Sequence, residues 1–238
     1  MNKTAIIVTY HGSSNENSNA ITSDILTKEV QDTFSEYRVI ECFSSKVVLS
    51  KLEKKRFSFV EALSFLEDND YNKVYVLTTN LVDGSDYQGI LNEARQSNLE
   101  VVITKPLLED GISELGNSLF KDKDSNHLFI GHGFKKKENS EYLLLQKAFY
   151  NQGMKNHKIA LIDGYPNASD IVSGLEVNKK LYVYPLMFIT GFHAKRDVEK
   201  QSNELKNTFN EVEYVPISLG MDSKIRKLYI NKLENIIR

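Results

Sequence analysis

A single cysteine, Cys42, stands among 238 residues, which excludes an internal disulfide and any zinc or iron-sulfur site built from several thiolates of one chain. With Val39, Ile40 and Phe43 around it in a strand-like run, it reads as a small buried hydrophobe. No apolar run approaches the roughly 20 residues that a membrane helix needs. The first residues lead straight into Thr4 to Tyr10, with no basic segment, long apolar region or small-residue cleavage site. These absences predict a cytoplasmic protein without membrane contact. Net charge is missing too: 30 Lys and Arg face 32 Asp and Glu, for −2. No global field draws the chain to nucleic acid or an anionic bilayer, so any polyanionic ligand must be held locally.

Short β-branched or aromatic runs alternate with segments of helical periodicity. The predicted strands are Thr4 to Tyr10, Arg38 to Phe43, Lys73 to Thr79, Glu100 to Thr104, His127 to Ile130, Lys158 to Ile162, Lys180 to Tyr184 and Glu211 to Val215. Leu26, Val30, Phe34 and Tyr37 mark one helical face between them, and Tyr142, Leu145, Ala148 and Phe149 mark another. Such alternation implies an α/β fold of parallel sheets covered by helices. The polar stretch Lys121 to Asn126 predicts a boundary between two similar doubly wound domains, 1–124 and 125–238, the second carrying the metal-site motifs. The halves echo each other. The first strand of each ends in His-Gly (His11-Gly12 and His132-Gly133), and the third is followed by a glycine two residues before a polar side chain (Gly84 then Asp86, Gly191 then His193). That echo predicts an internal duplication, with facing strand ends forming a small-molecule cleft.

His132 and His193 each lie just past an apolar run, at the strand-end edge where open α/β sheets bind ligands. Neutral imidazole suits cobalt, nickel, iron or zinc, and its intrinsic pKa of roughly 6.5 also lets it accept a proton. His193 is expected at a helix N-terminus, where the local dipole favours the neutral, metal-binding ring. Asp163 ends the intervening strand, so two His and one carboxylate make a mixed N/O site, although an N-cap role for Asp163 is a serious rival. His11 stands at a corresponding edge, as a second ligand, a base, or a turn residue beside anion-holding amides. His127 and His157 are expected to face solvent. Lys135, Lys136, Lys137, Lys195 and Arg196 flank the two candidate ligands, which suits a substrate bearing carboxylates.

Taken together, Gly131-His132-Gly133, Asp163-Gly164-Tyr165-Pro166, Pro185-Leu186-Met187 and Gly191-Phe192-His193-Ala194-Lys195-Arg196-Asp197 resemble the class II tetrapyrrole chelatases. The likeness is greatest to the anaerobic cobalt chelatases that act on sirohydrochlorin in cobalamin biosynthesis. That resemblance implies two similar α/β domains with a tetrapyrrole between them. It also implies a divalent metal as substrate, Co2+ foremost with Ni2+ or Fe2+ as alternatives, and no organic cofactor. It implies His132 as ligand and proton acceptor, and Asp163 and His193 as further ligands. His11, Ser13, Asp86, Tyr87, Phe134 and Lys195 become candidate tetrapyrrole contacts. Asp163 stands where the family usually has Glu, Phe134 where Thr is common, Phe192 where a small or acidic residue is common, and Asn80 and Asp86 where His and Glu are frequent. A homo-oligomer is compatible with all of this. One rival reading is a carrier that retains metal or tetrapyrrole. The other is a hydrolase, which would have to rely on a metal-activated water, because no Gly-x-Ser-x-Gly elbow is present.

Overall fold

The computed structural model describes residues 3–119, 121–135 and 138–238, apart from the side chains of 192–194. The last six residues of β1 (Lys3–Tyr10) are all buried. A strand covered on both faces has no polar side to alternate with, the pattern of a parallel sheet's centre. After it come α1 (Glu16–Ala20), α2 (Ser23–Thr33), β2 (Arg38–Phe43), the single turn α3 (Lys46–Leu49), β3 (Phe57–Ser58), α4 (Phe59–Asp68), β4 (Tyr71–Thr78), α5 (Ser85–Ala94), β5 (Glu100–Ile103) and α6 (Leu107–Asp110). The strands form one parallel sheet in the order β3-β2-β1-β4-β5. Ser58 starts α4 with a capping box closed by Glu61, which turns Ala62 and Leu66 onto Ala5, Ile7, Val74 and Val76 of the sheet.

A second sheet is built from α7 (Ile112–Ser118), β6 (Asn126–Gly133), α8 (Ser140–Asn151), β7 (His157–Asp163), α9 (Ala168–Ile171), β8 (Leu181–Pro185), α10 (Phe192–Leu205) and β9 (Val212–Tyr214). It is parallel, in the order β7-β6-β8-β9. Leu128, Ile130, Ala160, Leu181 and Val183 pack against Val198 and Leu205 of α10. With the two-residue β3 set aside, both sheets run second, first, third, fourth in chain order, as a duplication requires. Strand order therefore reverses beside β1 in one sheet and beside β6 in the other, and ligands of open α/β sheets bind at such reversals.

The chain divides elsewhere than at the expected 124/125 break. One unit comprises Met1–Asp110 with Gly220–Arg238, the other Gly111–Leu219. The first break moves because α7 packs against α8 of the second unit, and the second arises from α11 (Ser223–Ile237), which buries Ile225, Tyr229, Ile230 and Leu233. Arg226 donates twice to Glu29, at 2.8 Å each, and the Tyr229 hydroxyl donates to the Thr79 carbonyl at 3.1 Å. Among the described residues no helix is long and apolar enough to cross a membrane.

His127 and His157 correct a second expectation: they are 1% and 0% exposed. His127 is the second residue of β6 and His157 the first of β7, and the parallel register sets them side by side with ring centroids 4.7 Å apart. Tyr182 and Tyr184 stack on His127. The Lys121 amide donates to His157 Nε2 at 3.0 Å, and His127 Nε2 lies 3.1 Å from the Asp122 carbonyl. His127 stands just ahead of an apolar run and His157 in the polar stretch Lys155 to Lys158, places that point to solvent, but strand pairing sets both rings among aromatic side chains.

Candidate functional site

His132 is the one exposed residue of β6. Gly133 follows it at φ +72°, where a side chain would overlap the Asp163 carbonyl oxygen, so only glycine allows β6 and β7 to run this close at their ends. The same register pairs Gly133 with Asp163, the last residue of β7. His132 and Asp163 thus leave adjacent strand ends together. The N-cap alternative for Asp163 falls, because α9 is capped by Asn167, whose side chain accepts from the Ser169 and Asp170 amides. The Asp163 carboxylate instead lies 3.3 Å from Lys135 Nζ, and its side chain is 28% exposed.

The His132 ring has a defined orientation. Its Nδ1 lies 3.2 Å from the Gly133 carbonyl. Since a carbonyl only accepts, this bond puts the proton on Nδ1 and leaves the Nε2 lone pair free, as a metal ligand or proton acceptor requires. His193 is the second residue of α10, entered through Gly191 as N-cap, and this helix follows β8, the neighbour of β6 on the side away from β7. Its side chain lies outside the described residues. Among the described residues no three His, Cys, Asp or Glu side chains form a metal-holding group; His132 and Asp163 supply two candidates. Phe134 is half-buried and Lys195 is exposed in the first turn of α10. Arg196 pairs with Asp197 at 3.5 Å, and Lys136 and Lys137 lie outside the described residues.

The first unit repeats the arrangement with different side chains. His11 follows β1 and is exposed, with Nδ1 3.7 Å from Asp86 Oδ2. Asp86 is the second residue of α5, again entered through a glycine cap, Gly84. His11 therefore matches His132, and Asp86 matches His193. Burial alone would raise the Asp86 carboxyl, but contacts with His11, Ser44 and Asn80 outweigh it and hold the group below the ordinary carboxylate range; the Asn80 bond is 3.1 Å. The Asp86 carboxylate in turn raises the His11 imidazole against an opposing burial effect. In an Asp86→Asn variant the His11 midpoint, followed by NMR titration, should fall to or below the ordinary value of about 6.5. An unmoved midpoint would show that this carboxylate does not hold the proton.

Two expected tetrapyrrole contacts are turned inward. Ser13 is 1% exposed and its hydroxyl accepts from the Asn15 amide at 3.2 Å. Tyr87 is 7% exposed and its hydroxyl reaches the Thr104 carbonyl at 3.4 Å. Both serve the packing of their own unit. Conversely, residue-type reasoning passed over Asn139, which is buried behind the His132 turn and bonded to both backbone polar groups of Phe134.

Comparison with known proteins places this geometry. No curated protein sequence matches the chain. Among solved structures it is similar to SirB from Bacillus subtilis with Fe3+, at TM-score 0.69 and 14% identity, covering 98% of this chain and 95% of that one. A sirohydrochlorin chelatase SirB from Bacillus subtilis subspecies spizizenii, in complex with cobalt, gives TM-score 0.64 at 14% identity, with 98% and 94% covered. CbiX, described as the terminal enzyme of siroheme biosynthesis in denitrifying bacteria, gives TM-score 0.57 at 12% identity, with 98% of both chains covered. At such identity these likenesses speak for the fold. Activity rests on the sequence itself, which matches the cobalt chelatase (CbiK) family over residues 4–238, so that the chain belongs to this family and is a metal chelatase.

Proposed function

We propose that this chelatase inserts Co2+ into sirohydrochlorin, with release of two protons, in cobalamin biosynthesis. The observation that carries the reading is the His132 ring: exposed at the strand-order reversal, on the strand next to the one that Asp163 ends, with Nδ1 bonded to its own turn and Nε2 left free. The family supports the metal, and the SirB relative bound to cobalt supports a fold able to receive it.

In this reading His132, Asp163 and His193 hold the incoming ion, replacing some of its water. Imidazole and carboxylate accept Co2+, Ni2+ and Fe2+ alike, so the preference among them is part of the proposal. As the ion passes to the pyrrole nitrogens, the freed Nε2 lone pair of His132 accepts one of the two N–H protons, and the other passes to solvent water. Two protons leave for each divalent ion that enters, so the charge of the tetrapyrrole core is unchanged. Holding ion and ring in reacting geometry supplies the remaining assistance. Phe134 offers a ring face to the macrocycle, and Lys195 offers an ammonium to its carboxylates.

Mixing sirohydrochlorin and Co2+ with a catalytic amount of protein, and following the visible spectrum, tests the proposal. Many turnovers per chain are expected, faster with Co2+ than with Ni2+ or Fe2+. A change that stops after one equivalent would mean a carrier instead.

A further inference from the structure

Asn139 is 7% exposed and stands at the start of α8, yet its side chain does not cap that helix. It turns back to the loop that follows β6. Its Oδ1 accepts from the Phe134 amide at 2.9 Å, and its Nδ2 donates to the Phe134 carbonyl at 3.2 Å. The same Nδ2 fills the place that a side chain on Gly164 would take, so Asn139 also backs the turn after Asp163.

The Phe134 amide N–H and the Gly133 carbonyl belong to one planar trans peptide, and they point in opposite directions. Asn139 holds the N–H end. The carbonyl end accepts from His132 Nδ1. A single rigid plane thus connects a buried amide side chain to the imidazole, and its tilt decides whether a carbonyl oxygen stands in front of Nδ1.

The first unit has the same device. There the Ser13 amide donates to Asn19 Oδ1 at 3.0 Å, and Asn19 Nδ2 donates to the Ser13 carbonyl at 2.8 Å. Gly12, like Gly133, has positive φ, and Asn19 is fully buried. The His11 ring nitrogen, however, faces Asp86 at 3.7 Å rather than a backbone carbonyl. The duplicated clamp holds a duplicated turn, and only in the second unit does it control the bond that sets the imidazole tautomer.

We propose that Asn139 is a positioning residue: by fixing the Gly133–Phe134 peptide it keeps His132 in the Nδ1–H form, with Nε2 open for the metal and then for the proton. This rests on the reading of His132 given above, but its test does not depend on that reading. In 15N-labelled protein free of metal and tetrapyrrole, at about pH 8, the ring nitrogen shifts of His132 report the tautomer directly. The native chain should show Nδ1–H. Asn139→Ala should move the ring to a mixture with Nε2–H and weaken Co2+ binding by about tenfold, the usual scale for groups that orient a ligand from behind. Asn139→Asp keeps the acceptor for the Phe134 amide and should restore Nδ1–H. An alanine variant that retains Nδ1–H, even with a lowered melting temperature, would overturn the proposal and reduce Asn139 to packing. Should the alanine variant not fold, Asn139→Leu, which fills the space but bonds neither backbone group of Phe134, decides: a mixture with Nε2–H supports the clamp, and Nδ1–H retained overturns it. Loss of Co2+ binding with an unaltered tautomer would likewise overturn it. An Nδ1–H ring that binds no Co2+ in the native chain would instead strike the functional reading of His132.

Discussion

Replacing His132 by Ala should lower the rate of metal insertion by roughly 10²–10⁴-fold, the range that a lost proton acceptor costs, with the circular dichroism and the melting temperature close to native. The separation of the two effects follows from the site. The imidazole is exposed, and its one described bond is to the carbonyl of the next residue. Removing it opens no cavity and leaves behind only a carbonyl that water can reach. The turn itself is held by Gly133, by its register with Asp163 and by Asn139, none of which the substitution touches. Stopped-flow absorption with sirohydrochlorin and Co2+ measures the rate. Undiminished turnover would remove His132 from the chemistry.

The second large effect concerns acid. Burial, and then the neighbouring His127, lower His157 from 6.5 to about 4. Burial likewise lowers His127, against the pull of Asp122. The folded form therefore keeps both rings neutral where the unfolded chain would take up protons. Stability from His157 is complete above about pH 6.5, is lost as pH falls from there toward 4, and changes no further below that. A depression of this size corresponds to about 3 kcal/mol, a large part of the net stability of a typical domain. Hydrogen exchange of the β6 and β7 amides, compared at about pH 8 and about pH 4.5, should show the loss in the second unit. A His157→Gln variant keeps an amide near the Lys121 donor without the titrating ring, and should flatten the dependence. An equally steep slope in that variant would assign the acid sensitivity to other groups.

These two effects also mark where local sequence stops being informative. Eight of the nine strands among the described residues are visible as β-branched or aromatic runs, and β3 is missed because two residues carry no periodicity. The His-Gly turns are equally legible, since glycine beside histidine at a strand end limits what the backbone can do there. The burial of His127 and His157 is not legible. His127 stands just ahead of an apolar run and His157 among polar residues, and only the pairing of β6 with β7 puts the rings side by side, with Tyr182 and Tyr184 stacked on His127.

Sequence by itself determined the alternation of strands and helices, the repeated His-Gly turns at the ends of β1 and β6, and the motifs that mark a metal chelatase, because each depends on residues close together along the chain. Tertiary structure alone decided that α11 joins the first unit through Arg226 and Glu29, 197 residues apart, that Ser13 and Tyr87 face inward, and that Asn139 stands behind the His132 turn. Those outcomes depend on which surfaces meet once the sheets have formed, and a hydrogen bond between distant residues leaves no periodic trace in the order of the amino acids.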